Sequence, residues 1–243
     1  MRIIRIHTEQ PLEAGHEVEL EPGPSRHLVR VLRQKAGHQL ALFNGDGHEY
    51  FATITATGPG DRCSVALQQR VEVTVESPLS ICLVQAVARG DRMDWCIQKA
   101  CELGVTEVRP VFTERTEVRL DGKRASKRQR HWQQVAVAAC EQSGRVCVPA
   151  VQPPVELTAM DWPAGRPLHL DPTSGDTLSR IRAPADDGVA LIIGPEGGLT
   201  DTEIGWLERQ GSTGVGLGPR ILRTETAGPA AIACLQTLFG DWQ

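Results

Sequence analysis

Aromatic residues are scarce: one tyrosine, four phenylalanines and five tryptophans make up 4% of 243 residues. A surface built for extensive stacking on nucleic-acid bases would carry more of them. The seven cysteines contain no Cys-x-x-Cys pair, which excludes the commonest zinc and dithiol patterns. Their odd number and irregular spacing fit reduced, mostly buried thiols, as in a cytosolic protein. No stretch approaches the run of about 20 apolar residues that spans a membrane. Met1–His7 lacks the apolar core of a signal peptide, so none is expected. Internal repeats and low-complexity tracts are missing as well. So is a strong charge of either sign: a net charge of −4 predicts no global attraction to nucleic acid, but leaves room for a local basic patch.

What is present suits an ordinary globular protein, with 40% apolar and 23% charged residues. Residues 1–75 read as mostly β. Gln39–Phe43 is apolar, Asn44-Gly45-Asp46-Gly47 is a strong turn, and Tyr50–Ala56 and Cys63–Val75 continue in strand-like composition. Short strands with close turns suggest a small barrel. One helical piece interrupts them, with Ser25 as its expected cap, Leu28, Val31 and Leu32 on one face and Arg26, Arg30 and Arg33 on the other.

The pattern changes at Glu76-Ser77-Pro78, and residues 76–243 alternate strand and helix. Leu79–Ala88 is nearly continuous in apolar residues, as in a parallel strand covered on both faces. Asp91 is the expected cap of a helix carrying Met93, Ile97, Ala100 and Leu103, which ends at Gly104. Val105–Phe112 follows as a strand, then a basic stretch, then a helix from about Ser126 to Gln142. Arg166–Leu170 is a further strand, running into the loop Asp171–Gly175. This order predicts an α/β domain with a parallel sheet.

Two features near the C-terminus carry the most information. The strand Val189–Ile193 runs into Gly194-Pro195-Glu196-Gly197-Gly198-Leu199, and Thr200-Asp201-Thr202-Glu203 then reads as a capping box. The strand Gly214–Leu217 runs into Gly218–Ala227, and a helix extends from there to about Phe239. Such loops, at the carboxyl ends of neighbouring strands, are where α/β proteins commonly bind small ligands. Neither loop is a Walker A loop or a dinucleotide fingerprint. On pattern alone the first is equally a tight connection, and Arg220 and Arg223 in the second are either ion-paired surface residues or cations for an anionic substrate.

These loops resemble the paired signature of the ribosomal RNA small subunit methyltransferase E family: Gly194-Pro195-Glu196-Gly197-Gly198-Leu199, followed by Leu217-Gly218-Pro219-Arg220-Ile221-Leu222-Arg223-Thr224-Glu225-Thr226-Ala227. His27–Arg33, Lys99–Val105 and Glu141–Arg145 resemble three further family segments, in order, so that the resemblance covers nearly the whole chain. Pro219 and the Ala139-Cys140 context are mild departures. The family belongs to the SPOUT superfamily. The resemblance implies an α/β fold with a SPOUT-type C-terminal trefoil-knot methyltransferase domain and an N-terminal PUA-like β-barrel, and a homodimer in the cytoplasm. It also implies transfer of a methyl group from S-adenosylmethionine to N3 of one uridine, uridine 1498 by family, in 16S ribosomal RNA or the small ribosomal subunit. Neither a metal nor a membrane is implied.

Under that resemblance Leu170, Ile193, Gly194, Pro195, Glu196, Gly197, Gly198, Leu217, Gly218, Ile221, Leu222 and Thr224 form the cofactor slot, with apolar walls and glycines that let main chain approach. Uridine N3 must lose a proton, so Arg220 and Arg223 are candidates for stabilising charge, Glu225 for the base and Glu196 for a second base. Thr224 and Glu225 also have plain readings, as helix cap and as partner of the helix dipole. RNA phosphates are expected at Arg26, Arg30 and Arg33 and around Arg115, Arg119, Lys123, Arg124, Lys127, Arg128, Arg130 and His131, a stretch otherwise readable as a solvated face. Rival readings are a SPOUT enzyme acting on another RNA position, such as a ribose hydroxyl, and a non-catalytic RNA-binding assembly factor.

Overall fold

The computed structural model describes residues 3–184 and 188–242, which divide into two compact units. The first holds the residues up to Glu76 together with Cys140–Val148. Its strands are β1 (Ile4–His7), β2 (Glu17–Glu19), β3 (Gln39–Phe43), β4 (His48–Gly58) and β5 (Arg62–Glu72). They order as β1-β3-β4-β5-β2, with β1 parallel to β3 and the other neighbours antiparallel. Two register shifts interrupt the long β4–β5 ladder, as bulges do where a sheet bends. Alternate residues Tyr50, Ala52 and Ile54 of β4 turn inward onto Ile6, Leu28, Leu40, Leu42 and Val65. The Asn44–Gly47 turn is as expected: Gly45 and Gly47 have φ of 92° and 85°, and Asp46 accepts hydrogen bonds from His48 N at 3.0 Å and from the Tyr50 hydroxyl at 2.6 Å.

The helical piece between β2 and β3 differs from expectation. Helix α1 (Pro22–Arg26) starts three residues before Ser25, with Glu21 at its N-cap. Pro22 pre-sets the helical φ and has no N–H to satisfy. Ser25 is buried and donates to the Leu20 carbonyl at 2.8 Å instead of capping. From His27 to Val31 the helix widens into a π turn, closed by Leu32 N on His27 O at 2.9 Å. Arg26, Arg30 and Arg33 are exposed as expected, but so is Val31, expected on the apolar face with Leu28 and Leu32, because the π turn departs from the α-helical period.

The second unit comprises Ser77–Ala139 and the described residues from Pro149 onward. It contains β6 (Ile81–Ala86), α2 (Asp91–Glu102), β7 (Glu107–Phe112), most of α3 (Gly122–Ser143), β8 (Ala150–Val151), β9 (Val155–Glu156), β10 (Arg166–Leu170), β11 (Val189–Ile193), α4 (Asp201–Arg209), β12 (Thr213–Val215) and α5 (Thr224–Phe239). Every pairing is parallel, in the order β12-β10-β11-β6-β7-β8, with β9 beside β7. All residues of β6 and β11 are buried, which explains their nearly unbroken apolar runs, with Gln85 of β6 the one polar residue in them.

Two helix starts move. Gly90, at φ 58°, is the N-cap of α2, and Asp91 is the first helical residue, where its charge suits the dipole. Helix α3 begins at Gly122 rather than about Ser126, because Asp121 accepts the Arg124 N–H at 3.0 Å. The basic cluster from Lys123 to His131 therefore lies wholly on the helix. The seven cysteines are free thiols, and burial pushes Cys82 and Cys96 up to about 12, so both stay protonated. Among the described residues no helix is long and apolar enough to cross a membrane.

Candidate active site

The carboxyl ends of β10, β11 and β12 open into a cavity of about 600 Å³. Its walls come from the three loops that follow these strands and from the start of α5. Leu170, Ile193, Val215, Leu217 and Leu222 supply apolar surface, and Gly194, Gly198 and Gly218 expose main chain. Gly198 and Gly218 have φ of 71° and 77°, which a side chain would strain. Gly194 is hemmed in differently: a Cβ there would lie 3.1 Å from the Leu199 side chain.

The first loop folds over itself through Gly198 N to Pro195 O at 2.9 Å, and α4 then opens with the expected capping box. Glu203 N donates to the Thr200 hydroxyl at 3.2 Å, and Thr200 N to the Glu203 carboxylate at 2.8 Å. Gly197 is the one residue expected in the cofactor slot that does not line the cavity. It packs instead against the side chain of Arg115, which donates to Gly197 O at 2.9 Å and Leu199 O at 3.4 Å. Arg115, expected at RNA, thus braces this loop from outside.

The second loop brings Arg220, Arg223 and Glu225 to the cavity. Arg220 and Arg223 are exposed, and Ile221, expected as a wall, lines the mouth with 85% of its surface free. Thr224 is not the cap of α5; Arg223 is, with extended backbone, and Thr224 is the buried first helical residue. Its hydroxyl donates to Gly194 O at 2.7 Å and accepts from Gln85 Nε2 at 2.9 Å. Glu225 Oε1 lies 3.6 Å from Arg92 Nε and 3.9 Å from Arg223, and its buried Oε2 has no hydrogen-bond partner among the described residues.

Pattern reading missed Arg92, which lines the cavity, and Gln85, which bonds Thr224 beneath it. Arg92, in the first turn of α2, donates to Glu196 at 2.9 Å while facing Glu225, and so joins the carboxylates of the two loops. A cation at a helix N-terminus opposes the dipole, and that was its signal. Gln85 was visible as the polar residue in an apolar strand. Glu196 also accepts the Arg89 N–H at 3.3 Å. Partial burial pushes the Glu196 carboxyl upward, but main-chain N–H bonds and the Arg92 guanidinium outweigh it and hold it below the usual range, making it a poor proton acceptor.

The candidate phosphate contacts lie elsewhere. Arg30 is paired with Asp61 at 2.6 Å, and Arg124 with Asp121 at 3.8 Å. Arg26, Arg33, Lys127 and Arg128 are exposed without a described ion pair. No cluster of three or more His, Cys, Asp or Glu residues able to hold a metal occurs among the described residues.

The RNA methyltransferase domain family matches residues 75–236, and the RNA methyltransferase PUA domain family matches residues 25–66. A protein from Legionella pneumophila, solved with the cofactor S-adenosylmethionine bound, is 39% identical, with a TM-score of 0.94 covering 99% of this chain and 100% of the other. A ribosomal RNA small subunit methyltransferase E from Neisseria gonorrhoeae, bound to S-adenosylmethionine, is 38% identical at a TM-score of 0.90, with both chains fully covered. The enzyme of that name from Buchnera aphidicola is 30% identical over 99% of this chain and 98% of its own length.

Proposed function

Since the chain belongs to the ribosomal RNA small subunit methyltransferase E family, we propose that it transfers the methyl group of S-adenosylmethionine to N3 of a uridine in 16S ribosomal RNA, uridine 1498 in the family's numbering. The observation that carries this is the cavity itself, where a glycine-lined main-chain wall, an apolar floor and a charged mouth meet at the ends of three parallel strands. Its volume of about 600 Å³ suits a nucleoside-sized ligand. Leu170, Ile193, Leu217 and Leu222 would hold the adenine, and the main chain at Gly194, Gly198 and Gly218 would meet its polar edge. When bound, S-adenosylmethionine supplies an electrophilic methyl group from its sulfonium centre.

The protein's own task is the uracil. N3 must lose its proton as the N–C bond forms, and the charge spreads onto the flanking carbonyl oxygens. Arg220 and Arg223, on the exposed rim, would stabilise that charge. Glu225, which lines the cavity, is the candidate acceptor of the proton. Arg92 orients the Glu225 carboxylate and keeps Glu196 occupied with structure. The target base has to leave its stack to reach the cavity.

The fold-level reading follows the family. Residues 1–75 would form a PUA-like β-barrel that touches RNA, and 76–243 a trefoil-knotted SPOUT domain that dimerises in the cytoplasm. Support for the knot comes from topology: β12 lies at the edge beside β10, while α5 after it packs back on α2, β6 and β11. Arg26, Arg30 and Arg33 and the α3 cluster Arg124, Lys127 and Arg128 would take phosphates.

Calorimetry is expected to show saturable binding of S-adenosylmethionine, and absence of saturation would remove the cofactor reading. Loss of N3-methyluridine from 16S RNA in cells lacking the protein is the test of the substrate. Reversing Lys127 and Arg128 to Glu is expected to weaken RNA binding and to lower the salt slope by about one per lost phosphate contact. An unchanged slope would make this face of α3 a solvated surface.

A further inference from the structure

Strand β6 carries one polar side chain, Gln85, in the run Ile81-Cys82-Leu83-Val84-Gln85-Ala86, and it is fully buried. An amide in that position costs free energy unless it is hydrogen-bonded. Gln85 Nε2 donates to Ala86 O at 3.0 Å and to Thr224 Oγ1 at 2.9 Å. The Ala86 carbonyl decides the orientation of the amide, because a flipped side chain would set two oxygens against each other.

The direction of the whole chain of bonds follows. The Thr224 hydroxyl receives a hydrogen from Gln85, so its own single proton goes to Gly194 O, 2.7 Å away. Thr224 lines the cavity, yet it has no proton left for a ligand. Gly194 is the first residue of one cavity loop, and Thr224 ends the other. The relay therefore ties the exit of β11 to the start of α5, with β6 beneath as the fixed point. Gly228 lets α5 come this close, since a Cβ there would lie 3.3 Å from Gln85 Oε1.

We propose that Gln85, acting through Thr224, is a positioning residue that sets the spacing of the two cavity loops and thereby the affinity for S-adenosylmethionine. The inference rests on the reading of the cavity as the cofactor site. It makes Thr224 a brace rather than a direct ligand. Loops held in the bound geometry before the ligand arrives lose less freedom on binding.

The test compares Thr224→Val, which keeps the shape and removes the hydroxyl, with Thr224→Ser, which keeps the hydroxyl, and with Gln85→Met. Thr224→Val and Gln85→Met are each expected to raise the Kd and KM for S-adenosylmethionine about tenfold, from unpaired buried groups and loosened loops, with a smaller change in kcat. Thr224→Ser should restore binding close to the parent value. In the ligand-free protein, hydrogen exchange at the Gly198 amide should be faster in Thr224→Val than in the parent. Equal Kd and equal exchange in Thr224→Val and the parent would overturn the relay, as would a serine variant no better than the valine one. If Thr224→Val fails to fold, Gln85→Met with the parent's Kd and exchange would overturn it. A parent that does not bind S-adenosylmethionine, but shows the exchange difference, would sink the cofactor reading and leave the relay standing.

Discussion

Replacing Arg223 with alanine is expected to lower the rate of RNA methylation at saturating cofactor by about 10²- to 10³-fold, the range seen when one preorganised donor to a developing oxyanion is removed. Affinity for S-adenosylmethionine should change little. The division follows from position: Arg223 stands on the rim of the cavity with its side chain 76% exposed. Its one described ion pair is the 3.9 Å approach to Glu225, which Arg92 already faces at 3.6 Å. Losing Arg223 therefore leaves the carboxylate with a cationic neighbour and the slot intact. What it removes is a guanidinium directed at whatever enters from solution. Arg223→Lys should recover part of the rate, because a point charge replaces a planar fork. Single-turnover methylation of ribosomal RNA, measured beside calorimetry with the cofactor, separates the two effects. Unchanged turnover would reduce Arg223 to a surface arginine.

Arg5→Met is expected to destabilise the first unit by about 3–5 kcal/mol, the range for breaking a buried ion pair from one side. The Arg5 side chain is only 7% exposed. Its Nε donates to Glu49, and its terminal nitrogens reach Cys140 O at 2.6 Å, Glu141 O at 3.2 Å and Arg145 O at 2.9 Å. The guanidinium also lies over the Phe43 ring, 4.7 Å from its centre. Methionine fills much of the space but takes the guanidinium donor from the Glu49 carboxylate and from the Glu141 and Arg145 carbonyls, and leaves Cys140 O with the Gly144 N–H at 3.2 Å. Urea denaturation should show a large fall in midpoint at an unchanged slope. A shift of under 1 kcal/mol would mean that water replaces the guanidinium without penalty.

Much of the second unit was legible because local patterns there coincide with burial. β6 and β11 read as nearly unbroken apolar runs since both of their faces are buried. The glycines of Gly194–Leu199 and Gly218 read as loops because two of them adopt left-handed backbone that other residues resist. Ser25 failed as a cap for an equally local reason, since Pro22 is a stronger start signal three residues upstream. Asp121, in a loop rich in charge, was passed over as the residue that starts α3. The contact between Arg115 and Gly197 was not legible because nothing local couples them. They are 82 positions apart and meet only when β7 and β11 lie in one sheet.

The grouping of Cys140–Val148 with the first unit is a further case. Arg5 finds its acceptors about 135 to 140 residues away. Main-chain carbonyls as partners leave no trace in residue type.

The chain alone determined most of the longer elements, the change of pattern near residue 76, the two signature loops and the family that they resemble. Periodicity, glycine conformation and motif order are properties of neighbours along the sequence, and they survive without a fold. Tertiary structure decided which of those residues face a shared cavity and which partners they meet there. The Thr224 hydroxyl meets Gln85 from a different strand, Glu196 meets Arg92 from a different helix, and Gly197 packs under Arg115. Each of those outcomes depends on hydrogen bonds and charge at distances of about 3 Å, set by the pairing of strands remote in sequence.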